Sequence, residues 1–513
     1  MAQRHMWWWA TGVVIGTLVV VIGPAMLPLE MDPENTHAPA STLPVTTATS
    51  STPVASTDAV TTTEPAGATE DQSRLHWTRI DPKTLTDVPS PPLRLGEPGR
   101  AVFGPDNGIV ASFMYTGSDN SEELVLADLN RWEVVNRLPL EGWVAYDQSG
   151  VVEGPIQATF LDDGEVIDWI AQLPADNQAE PVANDYALFE YNLADTETRL
   201  SYRFPAGFAP WEMRLLSRER IAVFGSPVVF DEEAPDSARW PRVLVIDANT
   251  GRLERDIEIP GLVAGHEWKG ESVGSFAHPG LGWDVHAEHL YVVHADHLAV
   301  TVVDLALGEV INEREVSLAS SWTERMTLWL LPAAQAKLQE GSRRNVRIDP
   351  EGERLYISGV RWELVHNDEG EAIDEKQVSW GLTVLDLPTL DVVSHLELPV
   401  SDVEISPDGN HLLLTGVSDG RVVDYEPEQS GLYVLDADTL KDRGHLWAGT
   451  IPWIHTFSDQ GQIVYVSIWD QHSRLMRLDL AELEVLAERD LDATEQTSFD
   501  LGPRGLTARW VEG

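Results

Sequence analysis

The sequence predicts an all-β fold of the β-propeller class for residues 75–513. Two kinds of short hairpin alternate along this stretch, and the pair recurs at intervals of roughly 45 to 80 residues. The strands are short and apolar, and Gly, Pro, Asp and Asn interrupt them. Four-stranded units at such spacing are typical of sheets arranged around a central channel. A half-unit at each end of the stretch predicts how the ring closes.

The first kind of hairpin places a turn of Asp, Gly and Pro residues between two apolar strands. Gly and Asp favour such turns because they accept backbone angles that other residues adopt only at a cost. The clearest copies are ISPDGNHLLL (405–414), IDPEGERLYI (348–357), FLDDGEVI (160–167), FSDQGQIVYV (457–466) and FGPDNGIV (103–110). These copies predict one hairpin of each unit.

The second kind of hairpin begins its turn with an acidic or amide residue. The side-chain oxygen of Asp or Asn can accept a hydrogen bond from the backbone N–H two residues on, which stabilises the turn. The residues at this position are Asp81, Asp128, Asn192, Asp247, Asp304, Asp386, Asp436 and Asp479. We interpret them as turn-forming residues and not as catalytic groups.

The stretch begins and ends with half of a unit. Residues 76–93 carry the second kind of hairpin alone, and residues 497–513 carry the first kind alone. Pairing these two half-blades would complete one sheet and remove the strand edges that a broken ring exposes. One split sheet and seven continuous ones favour a propeller of eight blades.

At ISPDGNHLLLTG and the following LYVLDADTL, the sequence resembles bacterial propellers of the YVTN and lactonase-like type. It is also distantly similar to WD-repeat propellers, although their Gly-His and Trp-Asp signatures are not kept. The resemblance covers residues 75–513 and implies seven blades, so seven is the alternative to eight. It carries over no catalytic residue, because no catalytic motif of such enzymes matches a position of this sequence.

Three segments precede the predicted propeller. Residues 1–6 are predicted to be a cytoplasmic N-terminus, and residues 7–29, which carry no charge, a transmembrane signal anchor. Basic Arg4 before the apolar run predicts that the following chain lies outside the cell, as a single-pass cell-membrane protein. A cleaved signal peptide is the alternative. Residues 30–74, rich in Thr, Ser and Pro, are predicted to be a disordered linker.

Composition excludes some partners and some sites. The 83 Asp and Glu residues outnumber the 35 Lys and Arg residues, which gives a net charge of −48. A field of that sign repels phosphate backbones, so no nucleic-acid partner is expected. The chain has no cysteine, which excludes disulfides and thiolate metal sites.

The long insertions are predicted to lie on one face of the propeller, which we name the insertion-rich face. It carries the loops from second to third strands and the connections between blades, opposite the hairpin turns. Its insertions are 174–184, 230–240, 261–274, 320–344, 361–380 and 418–430. Because binding residues concentrate on loops over a rigid scaffold, this face is predicted to bind a protein or glycan partner.

Carboxylates cluster in loops of the insertion-rich face. Asp231 and Glu232 lie in one loop, and Asp368 and Glu369 lie in another. Carboxylate oxygens suit hard cations such as calcium, although no calcium-loop spacing is present. A divalent cation is therefore a candidate ligand, and no other cofactor is expected.

Histidines within DVHAEHLYVVHADHLAV are the second metal candidate. His286 and His289, with Glu288 between them, offer a transition metal a partial site. His294 and His297 form a second pair, but the intervening strand would separate the pairs by roughly 13 Å. All four histidines therefore cannot meet one metal, and two solvated turns are the alternative.

Two functions remain. The first is a membrane-tethered, extracytoplasmic propeller that presents a binding surface without catalysis, since no nucleophile elbow, P-loop or dinucleotide fingerprint occurs. The second is a metal-assisted hydrolase or lactonase-like enzyme that uses carboxylates or histidines around the channel. The two differ in whether the protein needs stoichiometric divalent metal.

Overall fold

Short strands dominate the part of the chain that the computed structural model describes. The described residues are 75–95, 101–104, 108–115, 122–140, 144–145, 157–161, 164–173, 185–227, 235–269, 272–316, 341–366, 372–416, 422–423, 427–458, 460–469, 473–491, 501–502 and 506–510. They belong to one compact unit, Pro65–Gly513. Their helical elements are two 3-10 turns, Asp236–Arg239 and Pro427–Gln429, so the all-β prediction is confirmed.

The strands of the first half, in chain order, are β1 Leu75–Ile80, β2 Asp87–Leu93, β3 Ala101–Phe103, β4 Ile109–Tyr115, β5 Glu122–Asp128, β6 Glu133–Pro139, β7 Val144–Ala145, β8 Ala158–Leu161, β9 Val166–Gln172, β10 Tyr186–Asn192, β11 Glu197–Arg203, β12 Phe208–Ser217, β13 Arg220–Pro227, β14 Arg242–Asp247 and β15 Arg252–Glu258. Those that follow are β16 Gly265–Lys269, β17 Ser272–His278, β18 Gly280–Asp284, β19 His289–Val293, β20 Ala299–Asp304, β21 Glu309–Glu315, β22 Gly341–Ile348, β23 Arg354–His366, β24 Ala372–Ser379, β25 Leu382–Asp386 and β26 Val392–Leu396. The last are β27 Asp402–Ile405, β28 His411–Thr415, β29 Val422–Val423, β30 Leu432–Asp436, β31 Asp442–Leu446, β32 Ile451–Phe457, β33 Ile463–Trp469, β34 Arg474–Asp479, β35 Glu484–Asp490, β36 Leu501–Gly502 and β37 Leu506–Trp510.

In the described residues these strands form eight sheets. Sheet 1 contains β1, β2, β36 and β37; sheet 2, β3–β6; sheet 3, β7–β11; sheet 4, β12–β15; sheet 5, β18–β21; sheet 7, β27, β28, β30 and β31; and sheet 8, β32–β35. Sheet 6 is built on β22, β23, β25 and β26, to which β16, β17, β24 and β29 are added. Most sheets therefore have the four antiparallel strands that the hairpin pairs predict.

The middle strands of the sheets are apolar on both faces because neighbouring sheets cover both faces. In β14 of sheet 4, the run Val243–Ile246 is completely buried. Its outer neighbour β15 is mostly exposed and carries Arg and Glu residues. The sheets are therefore stacked face to face, with their outer strands toward solvent.

Eight hydrophobic clusters join the sheets in sequence. Between sheets 2 and 3, for example, the rings of Phe113 and Trp169 lie 5.9 Å apart between centroids. The clusters join sheets 1 and 2, 2 and 3, 3 and 4, 4 and 5, 5 and 6, 6 and 7, 7 and 8, and 8 and 1. The series of contacts returns to the sheet at which it starts, which is consistent with a β-propeller.

Sheet 1 combines strands from both ends of the described chain. β1 pairs with β37 in antiparallel fashion, with Leu75 opposite Trp510 and Trp77 opposite Ala508. The pairing of N-terminal and C-terminal half-blades that the sequence predicts is therefore observed.

The turn of the second kind of hairpin recurs once in each sheet. We name it the Asp-led turn, although the copy in sheet 3 begins with Asn192. At Asp436, Oδ1 accepts hydrogen bonds from the N–H and the hydroxyl of Thr439, at 2.8 and 2.6 Å. The corresponding side-chain oxygens accept backbone N–H groups at Asp81, Asp128, Asn192, Asp247, Asp304, Asp386 and Asp479. The structural interpretation of these residues is confirmed.

The N-terminal segments predicted at residues 1–6, 7–29 and 30–74 lie outside the described residues. Within the part that is described, no helix has the length and apolar character to cross a membrane. A single-pass crossing needs about 20 apolar residues in a helix. The prediction of a single-pass cell-membrane protein is corrected on this finding.

Candidate functional site

The candidate site lies between sheets 5 and 6 on the insertion-rich face. The loop 294–298 joins β19 to β20, which are the second and third strands of sheet 5. On the sheet 6 side, β22 enters from the connection between the two sheets. Both segments therefore lie on the face that the sequence predicts to be the working surface.

A glycine in β18 allows sheets 5 and 6 to approach closely here. A Cβ atom at Gly280 would lie 2.3 Å from Cγ2 of Val346 and 3.0 Å from Cβ of Arg344, closer than van der Waals contact permits. Glycine lacks that atom, so β22 packs directly against β18. This contact brings Arg344 beneath the 294–298 loop.

Three potential metal ligands meet in this loop. One ligand atom from each of His294, Asp296 and His297 lies within 4.8 Å of the others. His294 is 1% exposed, and its Nε2 is 2.8 Å from Oγ1 of Thr301. The other ring nitrogen, Nδ1, is buried without a hydrogen-bond partner among the described residues. If Nε2 carries the proton, the Nδ1 lone pair is available to a metal, and Thr301 fixes the ring orientation.

Metal ligation needs an ionised carboxylate and two neutral imidazoles, so a metal ion would have to displace the proton that Asp296 favours on His297. Burial and the neighbouring His297 lower the pKa of His294, which keeps its imidazole neutral. The hydrogen bond from His297 Nδ1 to Asp296 Oδ1, 2.9 Å long, raises the pKa of His297. Although burial opposes ionisation of Asp296, the same hydrogen bond and the His297 charge hold its pKa below the usual range. An ionised carboxylate and two imidazoles are a donor set that divalent transition metals prefer.

Two arginines and a tryptophan of sheet 6 lie beside this loop. The guanidinium carbon of Arg344 is 3.8 Å from the centre of the Trp380 ring, and that of Arg361 is 5.3 Å from it. Nε of Arg344 donates to the backbone carbonyl of His294 at 3.3 Å. Burial and the positive charge of Arg361 lower the pKa of Arg344 to about 9, against the effect of Asp296. The candidate site therefore combines three potential metal ligands with a cationic layer, by which we mean Arg344 and Arg361 over the Trp380 ring.

The histidine candidates from the sequence lie at the other end of sheet 5. His286 and Glu288 are in the turn between β18 and β19, and His289 begins β19. Glu288 accepts a 2.6 Å hydrogen bond from Arg220, and His289 Nε2 is 3.8 Å from Asp304. The structure does not bring these three into the His294 group.

The acidic candidates Asp231, Glu232, Asp368 and Glu369 lie outside the described residues. Their role as cation ligands stays a prediction.

Sequence reasoning named His294 and His297 as a pair, but it missed the cationic layer. The signal was present in β22, where Ser342, Arg344 and Val346 alternate on the face toward sheet 5. Arg344 therefore takes a position where an apolar residue is expected. A charged residue inside a buried strand face indicates a polar interaction that the fold retains.

No family model matches this chain, and no curated protein matches it. Among solved structures, dihydro-heme d1 dehydrogenase NirN in complex with DHE is 12% identical, with a TM-score of 0.46, and the match covers 82% of this chain and 74% of that chain. An oligogalacturonate lyase in complex with manganese is 12% identical, with a TM-score of 0.39, over 77% of this chain and 87% of its own. A candidate 6-phosphogluconolactonase from Bacteroides fragilis is 12% identical, with a TM-score of 0.39, over 75% and 97%. Similarities of this size assign neither a reaction nor a ligand to the chain.

Proposed function

We propose that the protein is an eight-bladed propeller whose insertion-rich face binds a divalent transition-metal ion and a protein or glycan ligand. The observation that carries the metal proposal is the meeting of His294, Asp296 and His297, together with a buried Nδ1 on His294 that has no hydrogen-bond partner in the described part of the chain. Nitrogen ligands favour zinc or a similar metal over calcium, which prefers oxygen.

The blade count rests on the sheets and the clusters between them. Each of the eight described sheets contains one Asp-led turn, and each has a hydrophobic cluster with the next. A seven-bladed ring would leave one of these sheets outside the series. The cluster of Ile80 and Leu85 with Tyr465 and Leu475 joins the eighth sheet to the first, and so favours eight.

Metal binding is tested with the full-length protein after chelator treatment and dialysis. Titration with Zn²⁺ in a calorimeter is expected to show one site, and Co²⁺ is expected to give visible absorption bands from its nitrogen ligands. His297→Gln should weaken Zn²⁺ binding at least tenfold, since one of three ligands is lost. His289→Gln is the matched control and should bind as the wild type does.

Two results would overturn the metal proposal. One is the absence of Zn²⁺ and Co²⁺ binding in a folded wild-type protein. The other is a result in which His289→Gln loses Zn²⁺ binding while His297→Gln binds Zn²⁺ as the wild type does. That result would place the metal at the turn between β18 and β19.

Metal-assisted hydrolysis is a second candidate function, favoured by the number of ligands. Three protein ligands leave a zinc ion one coordination position for water, as in hydrolytic zinc sites. The prediction is metal-dependent turnover of ester or lactone substrates that the chelated protein and His297→Gln lack. Equal rates in the metal-loaded and chelated proteins would exclude this candidate and leave the binding function.

A further inference from the structure

The buried guanidinium of Arg344 is the starting point of a second site. Arg344 is 5% exposed, and its Nη2 has no hydrogen-bond partner among the residues that the structure describes. No ion pair joins it to a carboxylate of the described residues. Burying a charged group with one of its donor nitrogens unsatisfied is costly, so Nη2 indicates a ligand, an ion or a water that completes it.

A second guanidinium, that of Arg361, lies beside Arg344, with the carboxylate of Asp296 as the other charged neighbour. Arg361 pairs across strands with Ser342, two residues from Arg344, so both arginines lie on the face of sheet 6 toward sheet 5. Both guanidinium groups also lie over the ring of Trp380. An anion bound beside this ring would be attracted by both guanidinium groups.

The backbone holds the tryptophan in place. The N–H of Trp380 donates to the carbonyl of Gly359 at 3.0 Å. Gly359 has φ of +148°, and a Cβ there would lie 2.2 Å from the carbonyl oxygen of Arg343. A residue other than glycine would therefore displace the strand that carries Arg344. The Trp380 ring and Arg344 are thus positioned by the pairing of their strands and do not form a flexible surface contact.

We propose that Arg344, with Arg361 and Trp380, binds the oxyanion group of a small ligand, either a carboxylate or a phosphate. A guanidinium donates two parallel N–H bonds to such a group, and the aromatic ring fixes the guanidinium plane. This site goes beyond the metal site and does not depend on it, because none of the three residues is among the metal ligands. Asp296 lies close enough to interact with Arg344 electrostatically, but its Oδ1 already accepts the hydrogen bond from His297.

The test is calorimetric titration of the chelated, full-length protein with inorganic phosphate and with succinate, at constant ionic strength. We expect wild-type protein to bind at least one of them with a Kd below about 1 mM. Arg344→Lys keeps the charge but loses the paired donors, and Arg361→Gln removes the second charge. Each should weaken binding at least tenfold. Arg199→Gln, which changes an exposed arginine of sheet 3, is the matched control and should bind as the wild type does.

The outcomes separate the two anions and the two sites. Binding of phosphate alone assigns a phosphate group, and binding of succinate alone assigns a carboxylate. Absence of both in wild-type protein overturns the proposal, as does wild-type binding by Arg344→Lys and Arg361→Gln. Because the metal is removed in every anion titration, the anion result can be interpreted even if the protein does not bind zinc.

Discussion

At the residue scale, one turn is built eight times with different side chains. The fourth residue after each turn-forming Asp or Asn has a left-handed backbone, which glycine adopts without strain. Two of the eight are glycines, Gly251 and Gly308. The others are Leu85, Trp132, Thr196, Leu390, Leu440 and Leu483, with φ between 55 and 58°. Leu85 and Leu390 are buried in clusters between sheets, so their packing offsets the strain.

Thr196 has the same backbone but an exposed side chain, so its strain is not offset by burial. Thr196→Gly should raise the free energy of unfolding by about 1 kcal/mol, measured by urea denaturation. Leu390→Gly is the matched control, because it removes the same strain together with a buried side chain. It should lower stability by about 2 kcal/mol or more. A loss of stability in Thr196→Gly would contradict this account.

Asp168 gives the protein a pH-dependent stability. It is fully buried between sheets 3 and 4, and neither carboxylate oxygen has a described hydrogen-bond partner. Burial, and then the charge of Glu190, raise its pKa to about 8, far above its value in an unfolded chain. Because the folded pKa is the higher one, stability from this group is complete below about pH 4 and is lost as the pH rises toward 8.

Asp168→Asn should remove this loss. Each pH unit between those limits contributes at most about 1.4 kcal/mol, so melting temperatures of the two proteins should diverge between pH 5 and 8, with the variant more stable at the upper end. Asp185→Asn, an exposed carboxylate of the same sheet that pairs with Arg203, is the control and should follow the wild type more closely. Parallel curves for Asp168→Asn and wild type would show that Asp168 is not protonated in the folded state.

At the scale of elements, extra strands pair at the insertion-rich face. β17 pairs in parallel with β22, and β24 pairs in parallel with β29. The range 361–380 is predicted as a loop insertion, but it contains the end of β23 and all of β24. These strands connect neighbouring sheets at the face that carries the candidate site.

The close approach of β18 and β22 makes the site sensitive to a single methyl group. Gly280→Ala should cost about 1–3 kcal/mol of stability by overpacking against Val346, and it should weaken both Zn²⁺ and anion binding by displacing Arg344 from the loop. Gly449→Ala is the control, since Gly449 has φ of +82° and no atom of the described residues lies within 4 Å of its Cβ position. It should cost about 1 kcal/mol of backbone strain and leave both affinities unchanged. Unchanged affinities in Gly280→Ala would separate the site from this contact.

The hairpins and their turns could be predicted because their determinants are local. Asp436 and Thr439 stabilise a turn within four residues, so sequence spacing alone identifies it. The strands added at the insertion-rich face could not be predicted, because β24 pairs with β29 about 45 residues on. For the candidate site, the HADH segment shows two histidines close together in sequence, but only packing brings Arg344 of another sheet beside them.

At the scale of the whole molecule, the contacts between sheets form a closed series and one sheet is shared by both ends. A chain ended after Leu491 would lose β36 and β37 and leave β1 without its inner partner. We expect the melting temperature of this chain to be at least 10 °C lower than that of a control chain ended after Trp510. The reason is that apolar surface of sheets 8 and 1 would become exposed to solvent. Equal melting temperatures would show that sheet 1 does not contribute to closure.

The pairing of Leu75 with Trp510 also has a consequence for biosynthesis. β1 leaves the ribosome before the strands of the seven other sheets, whereas its inner neighbour β37 is made after all of them. Until then, its free edge can bind another chain. Joining residues so distant also carries a high loop-closure entropy, which slows the final step of folding. Nascent chains are therefore expected to be most prone to aggregation just before β37 is made, when seven sheets can stack and sheet 1 is incomplete.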